Sequence, residues 1–270
     1  MNPTVKSPIL PKATIYVVIP AYKVKKQILK TIRQIGNEVD GIIVVDDACP
    51  ENSGDWVLQN SKDARVSVLY NPHNMGVGGA VVRGIENALE QKADIIVKVD
   101  GDGQHDPSLI PLMLNPIITG EADYTKGNRF VSLDSIKKMP KIRLIGNIVL
   151  SLITKVSSGY WNLFDPTNGY IAVHKRILNQ LPLHKLSHDF FFESEMLFRI
   201  YLLGARVTEI PMKAIYRGEI SSLKPHKVLV PFLYKHALCI CKRIGLAGYS
   251  VLQTSILACR RYSVRGTGLL

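Results

Sequence analysis

Two short apolar runs in this 270-residue chain end in carboxylates. Ile42-Ile43-Val44-Val45 runs into Asp46-Asp47, and Ile95-Ile96-Val97-Lys98-Val99 runs into Asp100-Gly101-Asp102-Gly103-Gln104-His105-Asp106. A single glycine separates Asp100 from Asp102, in a loop able to bend both side chains toward one ion. Two carboxylates, the amide oxygen of Gln104 and several waters make an all-oxygen donor set, which suits Mg²⁺ or Mn²⁺ and not zinc. Such a cation would bridge a diphosphate and neutralise the charge that builds on a departing nucleoside diphosphate. The competing reading is an Asx-type turn after a strand, since Asp and Gly are common turn formers. The strand-end position, the following Gln104 and the second acid-ended run favour the metal reading.

Other groups are less specific. Gly76-Val77-Gly78-Gly79-Ala80-Val81 has the outline of a dinucleotide fingerprint, but Val81 stands where Gly or Ala is expected. The segment also follows the third apolar run, not the first, so a helix N-terminus packed near a ligand fits it better. Glu193 and Glu195 are candidates for a general base; two residues apart on a helix they do not share a face, so at most one enters a site. Cys49, Cys239, Cys241 and Cys259 show no CxxC spacing, the pattern of a reduced cytosolic protein. Cys239-x-Cys241 is open to acylation, against the commoner alternative of buried free thiols. His73 and His105 read as loop residues without metal.

The elements that must position the acids alternate along the first hundred residues. Ile15–Pro20, Gly41–Val45, Val66–Tyr70 and Ala93–Val99 are short apolar runs. Between them Val24–Ile35, the segment around Asp55–Gln59 and Val77–Glu90 have helical period. Short β-rich runs alternating with helices predict a mainly parallel sheet covered on both faces, an α/β fold. In such sheets ligands bind beyond the carboxyl ends of the strands, which directs both acid clusters to one crevice. The second half predicts helices at Asp106–Thr119, Ile142–Val156, Phe190–Leu203 and Val228–Arg243. Its strands are expected at Ala122–Lys126, Tyr170–Val173 and Val207–Pro211. The expected organisation is an extension over 1–13, a catalytic domain over 14–224 and a basic amphipathic tail over 225–270.

Charge is uneven. The formal net charge is +12, yet the segment from Pro211 to Leu270 holds ten Lys/Arg and one acid, Glu219. That end expects an acidic partner such as anionic lipid or a phosphorylated substrate. The start has three prolines within Met1–Lys12 and no apolar h-region, so no secretory signal is expected. No stretch reaches the roughly 18 apolar residues needed to span a bilayer. The tail therefore reads either as lying on a membrane surface or as a partly buried terminal helix pair. Nucleic acid is not expected, because strand-end acids would repel its phosphates unless a cation intervened.

Several segments taken together carry a resemblance. Ile19-Pro20-Ala21-Tyr22, Val44-Val45-Asp46-Asp47, Asn74-Met75-Gly76-Val77-Gly78-Gly79-Ala80 and Asp100-Gly101-Asp102-Gly103-Gln104-His105-Asp106-Pro107 resemble family 2 glycosyltransferases of GT-A fold. Gly127-Asn128-Arg129-Phe130, Asp165-Pro166-Thr167-Asn168-Gly169-Tyr170, Phe192-Glu193-Ser194-Glu195-Met196 and Tyr216-Arg217-Gly218-Glu219 resemble its dolichol-phosphate mannosyltransferase and polyprenyl-phosphate sugar transferase branch. The likeness covers about residues 14 to 240.

The resemblance implies roles residue by residue. Pro20, Ala21 and Tyr22 would hold the base and ribose, with Val45, Asp47, Gly76 and Gly101 completing the nucleotide-sugar contacts. Where the family continues with Asn-Glu, this chain has Lys23-Val24, so an acidic base or ribose contact is missing. Asp100, Asp102 and Gln104 match the metal set, and Arg129 a phosphate-contacting arginine. Between Ser135 and Phe164 stand five basic residues and no acid. Arg143 among them is the candidate for the acceptor's lipid phosphate, a solvated basic face being the alternative. Asp165 matches an acceptor-side motif that is also good turn chemistry, and Glu195 aligns with the family's glutamate.

The implied activity is metal-dependent, inverting transfer of a hexose from a nucleotide diphosphate sugar to a polyprenyl phosphate, on the cytoplasmic face of the membrane. A glycan or other hydroxyl acceptor is the second enzyme reading, and a non-catalytic basic membrane-binding module the reading from another class. A polyprenyl phosphate is already anionic and needs no strong base, whereas a sugar hydroxyl needs a positioned carboxylate.

Overall fold

The computed structural model describes residues 13–131, 141–213 and 230–245, without the side chains of 141–145 and 147. Its elements in chain order are β1 (Ile15–Ala21), α1 (Ile28–Arg33), β2 (Gly41–Asp46), α2 (Ser53–Asn60), β3 (Val66–Tyr70), α3 (Gly76–Glu90), β4 (Ile95–Lys98) and α4 (Ile110–Ile118). There follow β5 (Tyr124–Asn128), α5 (Lys141–Ser158), β6 (Ile171–His174), α6 (Lys175–Leu178), α7 (Phe192–Leu202) and β7 (Val207–Pro211). A tail helix, α8, covers 230–245.

The strands form one seven-stranded sheet in the order β3-β2-β1-β4-β6-β5-β7. All neighbours are parallel except at β6, which runs antiparallel to both β4 and β5. The chain winds outward in one direction from β1 through β2 to β3, then crosses to β4 on the other side of β1. That reversal creates the crevice where ligands bind in open α/β sheets. The antiparallel β6 matters for the same edge. Lys98 of β4 and Lys126 of β5 both pair with Ile171, the first residue of β6. The segment entering β6, Asp165 to Tyr170, is thereby delivered to the edge where β4 and β5 end.

Side chains alternate across the sheet as strand geometry requires. Val18, Ile43, Val45, Ile96, Tyr124 and Val173 face α3 and α7. Val17, Ile19, Ile42, Val44, Ile95 and Val97 face α1 and α4. Each such buried side chain contributes about 1.5–3 kcal/mol. Gly84 lets α3 lie directly on β1, since a methyl group there would strike Val18.

The helix expected over Val24–Ile35 begins only at Ile28. Lys23, Lys25 and Lys26 stand where a helix favours acids, Lys23 has a left-handed φ of 57°, and no acid occupies the first turn. The helix expected over Asp106–Thr119 divides into a single 3₁₀ turn, Pro107–Leu109, and α4; Asp106 caps the turn by accepting from Ser108 N at 3.0 Å. α8 presents a helical stripe of Phe232, His236 and Cys239 to Phe191 and Phe198, with Leu150 packed alongside. The 1–12 and 246–270 segments lie outside the described residues.

Candidate active site

The DxD turn sits on the end of β1. A Cβ at Gly101 would lie 3.3 Å from Ile19 Cγ2 and 3.4 Å from the Pro20 carbonyl, and Gly103 supplies the left-handed φ of 75° that closes the turn. Asp102 Oδ1 accepts from Gln104 N at 2.9 Å, so all three expected metal residues share one tight loop.

Asp100 is held from two sides. Lys98 Nζ lies 2.8 Å from its Oδ1, and His105 Nε2 lies 3.5 Å from its Oδ2. The backbone N–H of Asp100 donates to His105 Nδ1 at 3.1 Å, which places the imidazole proton on Nε2, facing the carboxylate. His105 stacks on Tyr170 with centroids 4.9 Å apart, and Tyr170 Oη donates to the Asp106 carbonyl at 3.0 Å. Burial, the largest single influence, works to raise the Asp100 pKa, but the neighbouring positive groups, Lys98 foremost with Arg129 behind it, together outweigh it and bring the carboxyl down to about 2. Burial brings His105 down to about 4, so the ring is neutral at pH 7.

A buried ionic cluster continues behind the turn. Lys98 Nζ also reaches Glu193 Oε1 at 3.2 Å, and the two carboxylates outweigh burial to keep the lysine charged. Lys126, fully buried on β5, donates to the Asn168 carbonyl, and burial lowers its pKa to about 8. Asp165, also fully buried, receives a two-pronged contact from Arg129: Nε to Oδ2 at 2.7 Å and Nη2 to Oδ1 at 2.9 Å. Burial opposes that ionisation, and the guanidinium overrides it to hold the Asp165 carboxyl below the usual range. Glu209 accepts from the N–H groups of Phe164 and Asp165 at 2.8 and 2.7 Å, which pins the loop that carries Asp165.

The second acid pair has a different fate. Asp46 accepts from Cys49 N at 2.7 Å and Gly54 N at 2.6 Å; Asp47 accepts from Asn71 Nδ2 at 2.6 Å, Met75 N at 2.8 Å and Gly76 N at 2.9 Å. The amides of Gly78 and Gly79 go to the His188 carbonyl at 2.7 and 3.2 Å. The first turn of α3 thus spends these donors inside the protein. Ala21 and Val45 are wholly buried, backbone included, while Tyr22, the residue after β1, is 42% exposed. Glu195 and Glu193 part company, as their spacing requires. Glu193 reaches Lys98 beside Asp100, whereas Glu195 binds Ser187 N at 2.8 Å and Arg199 Nη2 at 2.6 Å, apart from that cluster. The Arg143 side chain lies outside the described residues, although its backbone belongs to α5.

The donor set fits a hard divalent cation of limited protein coordination. Among the described residues no three His, Cys, Asp or Glu side chains gather to cage a metal. Two carboxylates on one turn leave the remaining positions to substrate phosphates and water, the usual arrangement for Mg²⁺.

Residues 16–181 match the protein family described as Glycosyl transferase family 2. The chain belongs to that family. It is 31% identical over 242 residues to a UDP-N-acetylglucosamine–dolichyl-phosphate N-acetylglucosaminyltransferase of Methanococcus voltae, covering 84% of this chain and 96% of that one. It is 32% identical to an undecaprenyl-phosphate mannosyltransferase of Micrococcus luteus over 74% of this chain and 83% of the relative. A glucosyl-3-phosphoglycerate synthase from Mycobacterium tuberculosis, solved with Mn²⁺, UDP and glucosyl-3-phosphoglycerate, superposes with a TM-score of 0.62. That match has 19% identity and covers 86% of this chain and 80% of the other. This family 2 glycosyltransferase therefore has the expected GT-A fold.

Reading the sequence alone passed over Lys98, Lys126 and Glu209. A signal was present for the lysines. Each stands at an inward position of a strand whose same-face neighbours, Ile96 and Tyr124, are buried. A lysine on such a face requires a buried anion.

Proposed function

We propose that this glycosyltransferase moves a sugar from a nucleoside diphosphate donor to a polyprenyl phosphate, with inversion, at a membrane surface. One observation carries the choice of acceptor. The carboxylates available as a base beside the DxD turn are committed to cations: Glu193 to Lys98, and Asp165 to Arg129. A hydroxyl acceptor needs a carboxylate ready to take a proton, whereas a phosphate monoester arrives ionised. The lipid-phosphate substrates named for the relatives from Methanococcus voltae and Micrococcus luteus support the same reading.

In this scheme Tyr22 and the ends of β1 and β2 hold the nucleoside, and Asp100, Asp102 and Gln104 hold Mg²⁺ or Mn²⁺. The cation, when bound, neutralises the diphosphate leaving group as a Lewis acid. Asp165 takes the Nε–Nη2 fork of Arg129 and so fixes the guanidinium, whose positive charge would favour a phosphate nearby. The acceptor oxygen attacks the anomeric carbon opposite the diphosphate, and the bond to the diphosphate breaks with its electron pair. A single displacement of this kind inverts the centre.

Membrane contact is supported by the outer helices. Ile148, Val149 and Leu152 of α5, and Val230, Leu233, Tyr234 and Ile244 of α8, are exposed. Among the described residues no helix is long and apolar enough to cross a bilayer. An apolar face with basic neighbours suits the lipid–water boundary.

The test is a screen of UDP- and GDP-linked hexoses and N-acetylhexosamines, with Mg²⁺ or Mn²⁺, against a short polyprenyl phosphate and the matching polyprenol. Transfer to the phosphate with inverted configuration is expected. Transfer to hydroxyl acceptors alone would overturn the assignment.

A further inference from the structure

Lys98 occupies an unusual seat. Its side chain is 3% exposed, and its ammonium lies 2.8 Å from Asp100 Oδ1 and 3.2 Å from Glu193 Oε1. The space around it is kept open by Gly169. A Cβ at that position would strike Lys98 Nζ and come within 3.1 Å of Asp100 Oδ2 and 3.3 Å of Glu193 Oε1. Gly169 is not among the residues with positive φ, so its backbone does not call for glycine and the close approach of the ammonium does. Stability explains such an arrangement poorly, because a buried ion pair is often no better than apolar side chains of the same volume.

We propose that Lys98 is a positioning residue that serves as the resident counter-ion of the DxD turn, holding one oxygen of Asp100 so that a divalent cation binds tightly only together with a nucleoside diphosphate. This rests on the reading of Asp100 and Asp102 as the cation's protein ligands. An ammonium at the same carboxylate repels a second cation, and at 3% exposure that repulsion is poorly screened by water or salt. The turn supplies two carboxylates, and one of them is shared with Lys98. A diphosphate adds further oxygens and negative charge, enough to bring the cation in against the ammonium. Glu193 is the second half of the device: it neutralises Lys98 from behind and keeps the lysine seated.

The test measures Mn²⁺ binding to the full chain by electron paramagnetic resonance, without nucleotide and with UDP. Lys98→Met is expected to bind Mn²⁺ alone roughly tenfold more tightly than the wild type, with a smaller gain on adding UDP. Lys98→Met/Glu193→Gln restores the local net charge and should return to within about threefold of wild type. Unchanged or weaker Mn²⁺ binding by folded Lys98→Met overturns the proposal, as does a double variant as tight as the single one. If Lys98→Met does not fold, Gly169→Ala keeps every charge and displaces the ammonium most, with smaller adjustments of Asp100 and Glu193. It should tighten nucleotide-free Mn²⁺ binding several-fold, and no change would overturn the proposal. A wild type that binds Mn²⁺ equally with and without UDP removes the role of Lys98 alone. A wild type that binds as expected but gives lipid phosphate no sugar removes the acceptor assignment alone.

Discussion

The two acid-ended strands read alike in sequence and do opposite work in the fold. Asp46 and Asp47 give both of their carboxylate oxygens to N–H donors, all but that of Asn71 being backbone amides in the turn before α2 and at the starts of α2 and α3. Asp100 gives its oxygens to an ammonium and an imidazole, and Asp102 accepts the Gln104 amide within its own turn. The first pair ties loops to the sheet; the second gathers ionisable groups at its edge. A strand-end carboxylate declares its role through its partners. Backbone amides mark a structural anchor, and a ring of titratable side chains marks a site where charge is handled.

That contrast is broken most severely at Asp102. Asp102→Ala removes a carboxylate from the turn together with its bond to the Gln104 amide, and the stability cost should be on the order of 1 kcal/mol. Metal-dependent sugar transfer should fall by about three orders of magnitude, corresponding to the several kcal/mol a Lewis acid supplies. Steady-state assays alongside denaturant melts check both halves. Retained activity would remove Asp102 from the cation site.

Asp46→Ala should show the reverse emphasis. Its carboxylate is 3% exposed and satisfies two amides, which the substitution leaves buried without partners. The expected loss is about 3 kcal/mol of unfolding free energy, read from urea titration. A loss below about 1 kcal/mol would mean the amides find water, and the anchor reading of the first pair would fail.

Much of this fold was legible in advance, for reasons that differ by region. β3 and β7 occupy the residues expected of them because short β-branched runs bounded by turn residues have few alternatives. The direction of β6 was not legible, since a period-2 pattern is the same read either way. Yet that direction is what brings Asp165, Asn168 and Gly169 to Lys98 and Lys126. The buried cluster was invisible for the same reason: pairing β4 with β6, and β6 with β5, has to be known before two lysines and Glu193 can be placed together. Short-range chemistry such as the DxD turn survives in one loop of sequence, whereas ion pairs separated by 95 residues, as Lys98 and Glu193 are, require the topology.

The smallest expected effect separates the two glutamates of α7. Glu195 lies on the helix two residues beyond Glu193, and the family likeness singles it out. In the fold its carboxylate takes the Ser187 amide and hydroxyl on one oxygen and the Arg199 guanidinium on the other, at the end of the loop whose His188 carbonyl receives the amides of α3. With one oxygen on a loop amide and hydroxyl, and the other on a guanidinium of its own helix away from the DxD cluster, it anchors a loop as Asp46 does. Glu195→Gln keeps the shape and an acceptor oxygen while losing the charge, and an exchange of this kind at a mostly buried i,i+4 pair should cost on the order of 1 kcal/mol of stability. Turnover at saturating donor and acceptor should stay within about twofold of wild type, since no reacting group is touched. A fall of a hundredfold in kcat with the fold intact would return Glu195 to the chemistry and confine the partner criterion to the strand ends.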